Sequence, residues 1–196
     1  MSRTIILATN NQNKVSEIKA VLAPLGIEVL SQSEAGYNIS VEETGTTFEE
    51  NAILKARAIY KISHTPVMSD DSGLEVDFLN GEPGVHSSRY AGEDATNDEK
   101  MDKVLNKMKN AGDNERTARF RCAICFIDED GEEHIFEGKC EGIIAKEKIG
   151  ESGFGYDPIF LYNGVSFASM TKEEKNKVSH RGNAVNRFVE FLKLKY

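Results

Sequence analysis

Residues 4–8 (TIILA) form a short, largely apolar run, the pattern of a strand buried on both faces. A polar stretch follows: Thr9, Asn10, Asn11, Gln12, Asn13 and Lys14. Beyond it Val15, Ile18, Val21 and Leu22 recur at helical spacing, until Pro24 and Gly26 stop the helix. Residues 27–30 predict a second strand. The chain thus opens with a strand–loop–helix–strand unit, the start of an α/β fold.

Thr47 followed by Glu50 predicts an N-cap with a capping-box partner, and a helix then runs through Ala52, Leu54, Ala56 and Ile59. Residues 67–69 read as a short strand entering Asp70, Asp71, Ser72 and Gly73. Residues 74–78 alternate, and Asn80-Gly81 marks a hairpin turn. Residues 84–92 read as an irregular loop. Residues 96–110 predict a helix with Met101, Val104, Leu105 and Met108 on one face. Residues 118–127 and 134–144 predict two long strands joined at Asp130-Gly131, a hairpin. A Gly-rich loop at 150–155 and a charged stretch at 172–177 precede a terminal amphipathic helix, 182–194. Its inner positions are Ala184, Phe188, Phe191 and Leu192. No repeat or low-complexity linker divides the chain. It reads as one domain over residues 1–196, with the hairpin of the second half forming a lobe and a cleft expected beside it.

Composition narrows the classes. With 196 residues, 39% hydrophobic and 29% charged, the chain is too apolar to be disordered. A formal net charge of −8 argues against a nucleic-acid partner, which needs a basic face. Cys122, Cys125 and Cys140 are sparse and odd in number, which fits reduced thiols. Cys122 and Cys125 form C-x-x-C, but no second pair or nearby His pair completes a zinc site. On a strand their side chains take opposite faces, a structural arrangement. The first nine residues are too short for a signal sequence, and no stretch approaches the roughly 18 apolar residues of a membrane span. The expectation is a cytoplasmic protein with no membrane partner.

Several polar groups carry candidate chemistry. The loop from Thr9 to Lys14 lies between a buried strand and a helix N-terminus, where backbone N–H groups bind phosphate and Lys14 adds charge. It lacks the P-loop pattern, and an ordinary capped turn fits the spacing as well. Asp70 and Asp71 at a strand end suit magnesium or general-base work, or else cap a turn. Glu42 and Glu43 precede a helix and offer further ligands, or simply favour its dipole. Phe154, Gly155, Tyr156 and Asp157 before Pro158 could stack on a base and read its edge, or pack a turn. His180 and Arg181 at a helix start, with Lys172, Lys175 and Lys177 upstream, suit an anion or carbonyl; a capped helix with surface cations is the plainer reading.

Taken together these segments resemble the inosine triphosphate pyrophosphatases, which act on non-canonical purine nucleoside triphosphates. The matching pieces are LATNNQNK, EETG with TFEENA, SDDSGL, PG through SRY, FGYDP, and EK through SHRG. They lie in the family's order along nearly the whole chain. One departure is Asn10, where bacterial members usually carry Gly; Asn tolerates left-handed backbone, so the loop is expected to survive.

The resemblance implies an elongated α/β fold with a central mixed sheet flanked by helices, and a deep cleft between two lobes. It implies a homodimer that converts ITP, dITP or XTP into the monophosphate and pyrophosphate with Mg2+. By carry-over, Thr9, Asn10, Asn11, Gln12, Asn13 and Lys14 hold the triphosphate. Asp71 is general base and metal ligand, with Glu42 as the other ligand and Glu43 as its rival. Ser72 contacts substrate. Phe154, Gly155, Tyr156, Asp157, Lys175, His180 and Arg181 shape the base and phosphate pocket. A donor there would pair with the six-carbonyl of hypoxanthine or xanthine and face the amino group of adenine. Two other classes compete: a pyrophosphatase for modified pyrimidine triphosphates, and a nucleotide-binding module without turnover.

Overall fold

The computed structural model describes residues 3–196. Strand β1 (Arg3–Leu7) is followed by α1 (Gln12–Leu22), a 3-10 turn at Ala23–Leu25 and β2 (Ile27–Ser31). Val15, Ile18 and Leu22 are the buried positions of α1, as the helical spacing requires. Gly26 closes the turn at φ 68°, a left-handed conformation open to glycine. β1 and β2 pair in parallel, which the intervening helix makes possible.

Helix α2 (Phe48–Ser63) starts at Thr47, whose side chain accepts the Glu50 N–H at 3.1 Å. The Glu50 carboxylate reaches one residue further back than a capping box predicts, to the Thr46 N–H at 2.6 Å and hydroxyl at 3.0 Å. The buried face of α2 holds Phe48, Asn51, Ala52, Ala56 and Ile59.

The largest departure from the sequence pattern is β3 (Val67–Val76). It is one ten-residue strand that runs straight through Asp70, Asp71, Ser72 and Gly73. Eight of its ten residues are buried, so both faces are covered, and a polar segment that reads as a turn is held extended by its neighbours in the sheet. Asn80 and Gly81 do make a tight turn, at φ 53° and 89°, and Glu75 bridges back to Pro83. Residues Gly84–Arg89, expected as irregular loop, wind into 3-10 helix.

Helix α3 (Asn97–Lys107) begins with a full capping box between Thr96 and Glu99 and ends three residues earlier than its apolar spacing predicts. β4 (Thr117–Ile127) and β5 (Glu133–Ile144) are the two long strands of the predicted hairpin and are neighbours in the sheet. β6 (Phe160–Tyr162) and β7 (Val165–Ser166) follow. The charged stretch at 172–177 is itself helical, as α4 (Lys172–Val178), capped by Thr171 and Glu174. The terminal helix α5 (His180–Lys195) starts two residues earlier than expected and so includes His180 and Arg181.

The seven strands form one mixed sheet in the order β2-β1-β3-β4-β5-β6-β7, flanked by helices: an α/β fold. β1 is parallel to both β2 and β3, whereas β6 is antiparallel to β5 and β7. Two compact units divide the chain. Among the described residues, the first comprises 3–71, 123–136 and 185–196, and the second 72–122 and 137–184. In the second, Phe120, Phe160 and Phe167 cluster with ring centroids 4.6–5.8 Å apart. In the first, Phe126 packs on Phe188 at 5.1 Å. Cys122, Cys125 and Cys140 are all buried free thiols, and burial pushes Cys125 up to about 12 and Cys140 to about 11. Thiols held neutral in this way are inert core residues, as the C-x-x-C spacing on a strand implied.

Candidate active site

In the first unit, β1 leads directly into the polar loop. The Asn11 side chain caps α1 by accepting the N–H groups of Asn13 at 3.0 Å and Lys14 at 3.4 Å. The Thr9 hydroxyl in turn accepts the Asn11 N–H at 3.2 Å. The loop is therefore a capped turn in this state, and Asn10, Asn11, Gln12 and Asn13 are exposed at its rim. Asn10 needs no left-handed backbone: it is absent from the described residues with positive φ, and its Oδ1 accepts the Ser33 hydroxyl at 2.5 Å. The loop survives at that position through a side-chain anchor.

Lys14 turns inward, its Nζ 2.8 Å from the Asp70 carboxylate. Asp70 and Asp71 sit mid-strand in β3, 6% and 8% exposed. Alternation along a strand sends the two side chains to opposite faces, so they take different partners. The partner of Asp71 is Lys55 from α2, at 3.3 Å. The same ammonium lies 2.8 Å from Glu43. Asn51, one turn before Lys55, donates to Asp71 Oδ2 at 3.3 Å.

Burial pushes the Asp71 carboxyl above the ordinary aspartate range; Lys55 works against this, and the nearby Glu43 adds to it. Lys55 is held above the usual lysine value. Burial opposes its charge, but Asp71, Asp70 and Glu43 outweigh burial. Two carboxylates thus converge on one ammonium, which stands where a cation is favoured. Oxygen donors in slight surplus of charge are what Mg2+ takes, so these residues fit that ion. Of the two glutamates, Glu43 reaches Lys55 while Glu42 is exposed on the same loop.

In the second unit, Asp157 is 2% exposed and organises the FGYDP turn. It accepts the Phe154 N–H at 2.9 Å and the Lys175 ammonium at 2.5 Å. Phe154 itself is 47% exposed. Its ring has Lys175 Nζ at 4.9 Å and Arg181 Cζ at 5.7 Å, so an open aromatic face is bordered by two cations. Gly155 has φ 63°, and the buried Tyr156 hydroxyl donates to the Ser87 carbonyl at 2.7 Å. His180 stacks on Phe120 at 4.7 Å, and Arg181 donates to Ser72 Oγ at 3.2 Å. Ser72, Phe154, Gly155, Tyr156, Asp157, Lys175, His180 and Arg181 thereby belong to one unit, and Thr9 to Lys14, Glu42 and Asp71 to the other.

The first turn of α5 lies close against β5 at Gly138, and the Asn183 side chain donates to the neighbouring Lys139 carbonyl at 3.1 Å. A Cβ on Gly138 would come within 2.1 Å of the His180 carbonyl oxygen and 2.6 Å of the Ala184 nitrogen. Only glycine permits this approach.

The chain as a whole is similar to known proteins. A model of the Ham1 family matches residues 5–191. The chain belongs to the Ham1 family. A dITP/XTP pyrophosphatase of Clostridium perfringens (strain 13 / Type A) is 46% identical over 199 residues, covering 97% of this chain and 98% of that protein. Its counterpart in Bacillus subtilis (strain 168) is 47% identical over 189 residues, covering 95% and 96%. The structure of the Staphylococcus aureus Ham1 protein aligns with a TM-score of 0.91 at 43% identity, over 99% of this chain and 100% of that one.

Two residues of this Ham1-family chain that contact Asp71 escaped the sequence reading: Lys55 and Asn51. A signal for both was present. On α2 they share the stripe of Phe48, Ala52 and Ile59, and a lysine and an asparagine on a buried stripe demand partners.

A second acidic group was also missed. Asp128, Glu132 and His134 bring ligand atoms within 4.8 Å of one another at the β4–β5 turn. Asp128 is already saturated. It accepts the N–H groups of Asp130 at 3.0 Å and Glu132 at 2.9 Å, His134 Nε2 at 2.8 Å and Lys195 Nζ at 2.5 Å. That group is a structural clasp between the turn and the end of α5. Among the described residues, no helix is long and apolar enough to cross a membrane.

Proposed function

We propose that this chain hydrolyses ITP, dITP and XTP to the nucleoside monophosphate and pyrophosphate, and so clears non-canonical purines from the nucleotide pool. The observation that carries the reading is Asp71, a buried carboxylate beside Lys55 and Glu43 in a chain 46% identical to a dITP/XTP pyrophosphatase. A pure nucleotide binder gains nothing from a carboxylate cluster beside phosphates, because like charges repel.

Asp71 takes the proton of a water that attacks the α-phosphorus, and pyrophosphate leaves as a unit. Its raised proton affinity suits a base better than an ordinary aspartate. Asp71 with Glu42 or Glu43 would hold Mg2+, which would offset charge on the triphosphate. Lys14 and the Thr9, Asn10, Asn11, Gln12 and Asn13 loop bind its phosphates. For that, Lys14 exchanges Asp70 for phosphate, and the Asn11 cap yields its N–H groups.

Phe154 stacks on the base, while Lys175, His180 and Arg181 supply donors to its carbonyl edge. Asp157 and Gly155 set the turn that carries Phe154, Tyr156 anchors it, and Ser72 orients Arg181. Adenine would set an amino group against those donors, and an unpaired buried polar group costs about 1–3 kcal/mol. The enzyme works as a homodimer in the cytoplasm, a compartment consistent with three free, buried thiols.

The test is a product assay with ITP, XTP, dITP, GTP, ATP and dTTP, each with and without Mg2+. Pyrophosphate and monophosphate from ITP or XTP, with ATP and GTP nearly untouched, is the expected result. Orthophosphate release, preference for dTTP, or no turnover at all would overturn the reading.

A further inference from the structure

Asn51 is wholly buried, on the otherwise apolar face of α2. A buried amide is costly unless both of its ends are paired. Here both are. Its Oδ1 accepts the Gly45 N–H at 2.8 Å, and its Nδ2 donates to Asp71 Oδ2 at 3.3 Å. One side chain thus ties the loop carrying Glu42 and Glu43 to the strand carrying Asp71.

Gly45 shows how close the loop lies. A Cβ there would meet Asn51 Oδ1 at 2.6 Å and Glu50 Cβ at 2.7 Å. The loop rests directly on the first turn of α2. Lys55, four residues after Asn51 and so on the same helical face, contacts Glu43 at 2.8 Å and Asp71 at 3.3 Å. The lysine draws the two carboxylates by charge, but an incoming cation competes with it for them. The Asn51 amide carries no charge and binds directionally, so it does not repel an incoming cation as the ammonium does.

We propose that Asn51 is a positioning residue. Its amide fixes the Glu42–Glu43 loop against Asp71, so that the carboxylates are converged before the metal binds. This rests on the reading of Asp71 and the glutamate pair as Mg2+ ligands. Groups that orient metal ligands in this way typically contribute about 10–100-fold to metal affinity or activity.

The experiment titrates Mn2+, counted as free ion by its EPR signal, into the substrate-free protein, and measures kcat and KM with ITP and Mg2+. Asn51→Leu keeps the branching at Cγ, adds some bulk and removes both hydrogen bonds. In a variant that melts cooperatively, Mn2+ binding is expected to weaken by about tenfold or more, and kcat to fall by a similar factor. KM for ITP should stay within about threefold, since Asn51 touches no substrate. Gly45→Ala, which sets a methyl group against the same amide oxygen, is expected to weaken Mn2+ binding in the same direction and decides the matter if Asn51→Leu does not fold.

Wild-type Mn2+ affinity and kcat in the folded variant would overturn the proposal, as would a wild-type protein that binds no Mn2+. A wild-type protein that binds Mn2+ yet turns over no triphosphate would overturn the functional reading alone, because the Mn2+ titrations of the variants are read without substrate.

Discussion

Lys55 Nζ lies 3.3 Å from Asp71 Oδ1, and the same ammonium is shared with Glu43. A single positive charge therefore holds two carboxylates together. Lys55→Met leaves them facing each other uncompensated, with the larger of the two penalties falling on buried Asp71. The melting temperature of the metal-free variant should drop by about 5 °C. Mg2+ should restore more stability to the variant than it gives the parent, because it supplies the missing charge. Differential scanning calorimetry with and without Mg2+ reads both effects; an equal gain in the two proteins would deny the carboxylates a role in holding metal.

Asp71→Asn should severely reduce turnover while leaving the fold intact. The expected fall in kcat is about 10²–10⁴, the usual contribution of a positioned base. The variant should melt no lower than the parent in the absence of metal, since a charge that burial disfavours has been removed. A folded Asp71→Asn protein with near-parental kcat removes Asp71 from the chemistry.

The pH dependence has a definite sign. Burial raises the Asp71 carboxyl, so its ionisation costs the folded state stability. The cost is absent at low pH, grows as pH rises through the ordinary aspartate value and is complete above the raised one. Carboxyl NMR of the metal-free protein should therefore find Asp71 titrating above the ordinary aspartate range, and Mg2+ should pull it back down. If Asp71 titrates at or below the ordinary value without metal, burial does not govern it.

Phe154 is the exposed platform of the second group, with Lys175 and Arg181 at its border. Stacking of a base on an aromatic ring is worth about 1–3 kcal/mol. Phe154→Ala should raise KM for ITP at least about tenfold and change kcat by less than about threefold. A fall in kcat at constant KM would assign the ring to the reacting end of the substrate.

Asp128 has the opposite sign from Asp71. Burial works against its charge, but hydrogen bonds from Lys195, His134 and the N–H groups of Glu132 and Asp130 outweigh burial and hold the carboxyl well below its usual range. Its stabilisation is present above the ordinary aspartate value and is lost only as pH falls through the depressed one. Asp128→Asn should cost about 2 kcal/mol at neutral pH, and the gap should narrow only below about pH 4. Its Mg2+ dependence of turnover should match the parent, because the turn residues act as a clasp; a shifted dependence would make them metal ligands.

Helical and alternating periodicities were strong enough in the sequence to locate α1, α2, α3, the β4–β5 pair and the α/β class. Strand β3 was harder. Asp70, Asp71, Ser72 and Gly73 have turn chemistry, and only the neighbouring strands and helices that cover both faces keep them extended. Helix α4 was obscured by its charges, since its stability comes from the Thr171–Glu174 cap rather than from an apolar stripe. Within the site, the motifs pointed to carboxylates and cations but not to their pairing. Which lysine meets which aspartate depends on strand alternation, and so Lys14 with Asp70 and Lys55 with Asp71 emerge only from the fold.

The close contact between Gly138 and the start of α5 has a consequence for how this protein loses function by mutation. Position 138 carries no polar atom beyond its backbone and touches no proposed ligand, yet any replacement displaces the His180 backbone. In a random library selected for inactive clones, codon 138 should recur beside those for Asp71 and Lys55, although the residue it specifies performs no chemistry of its own.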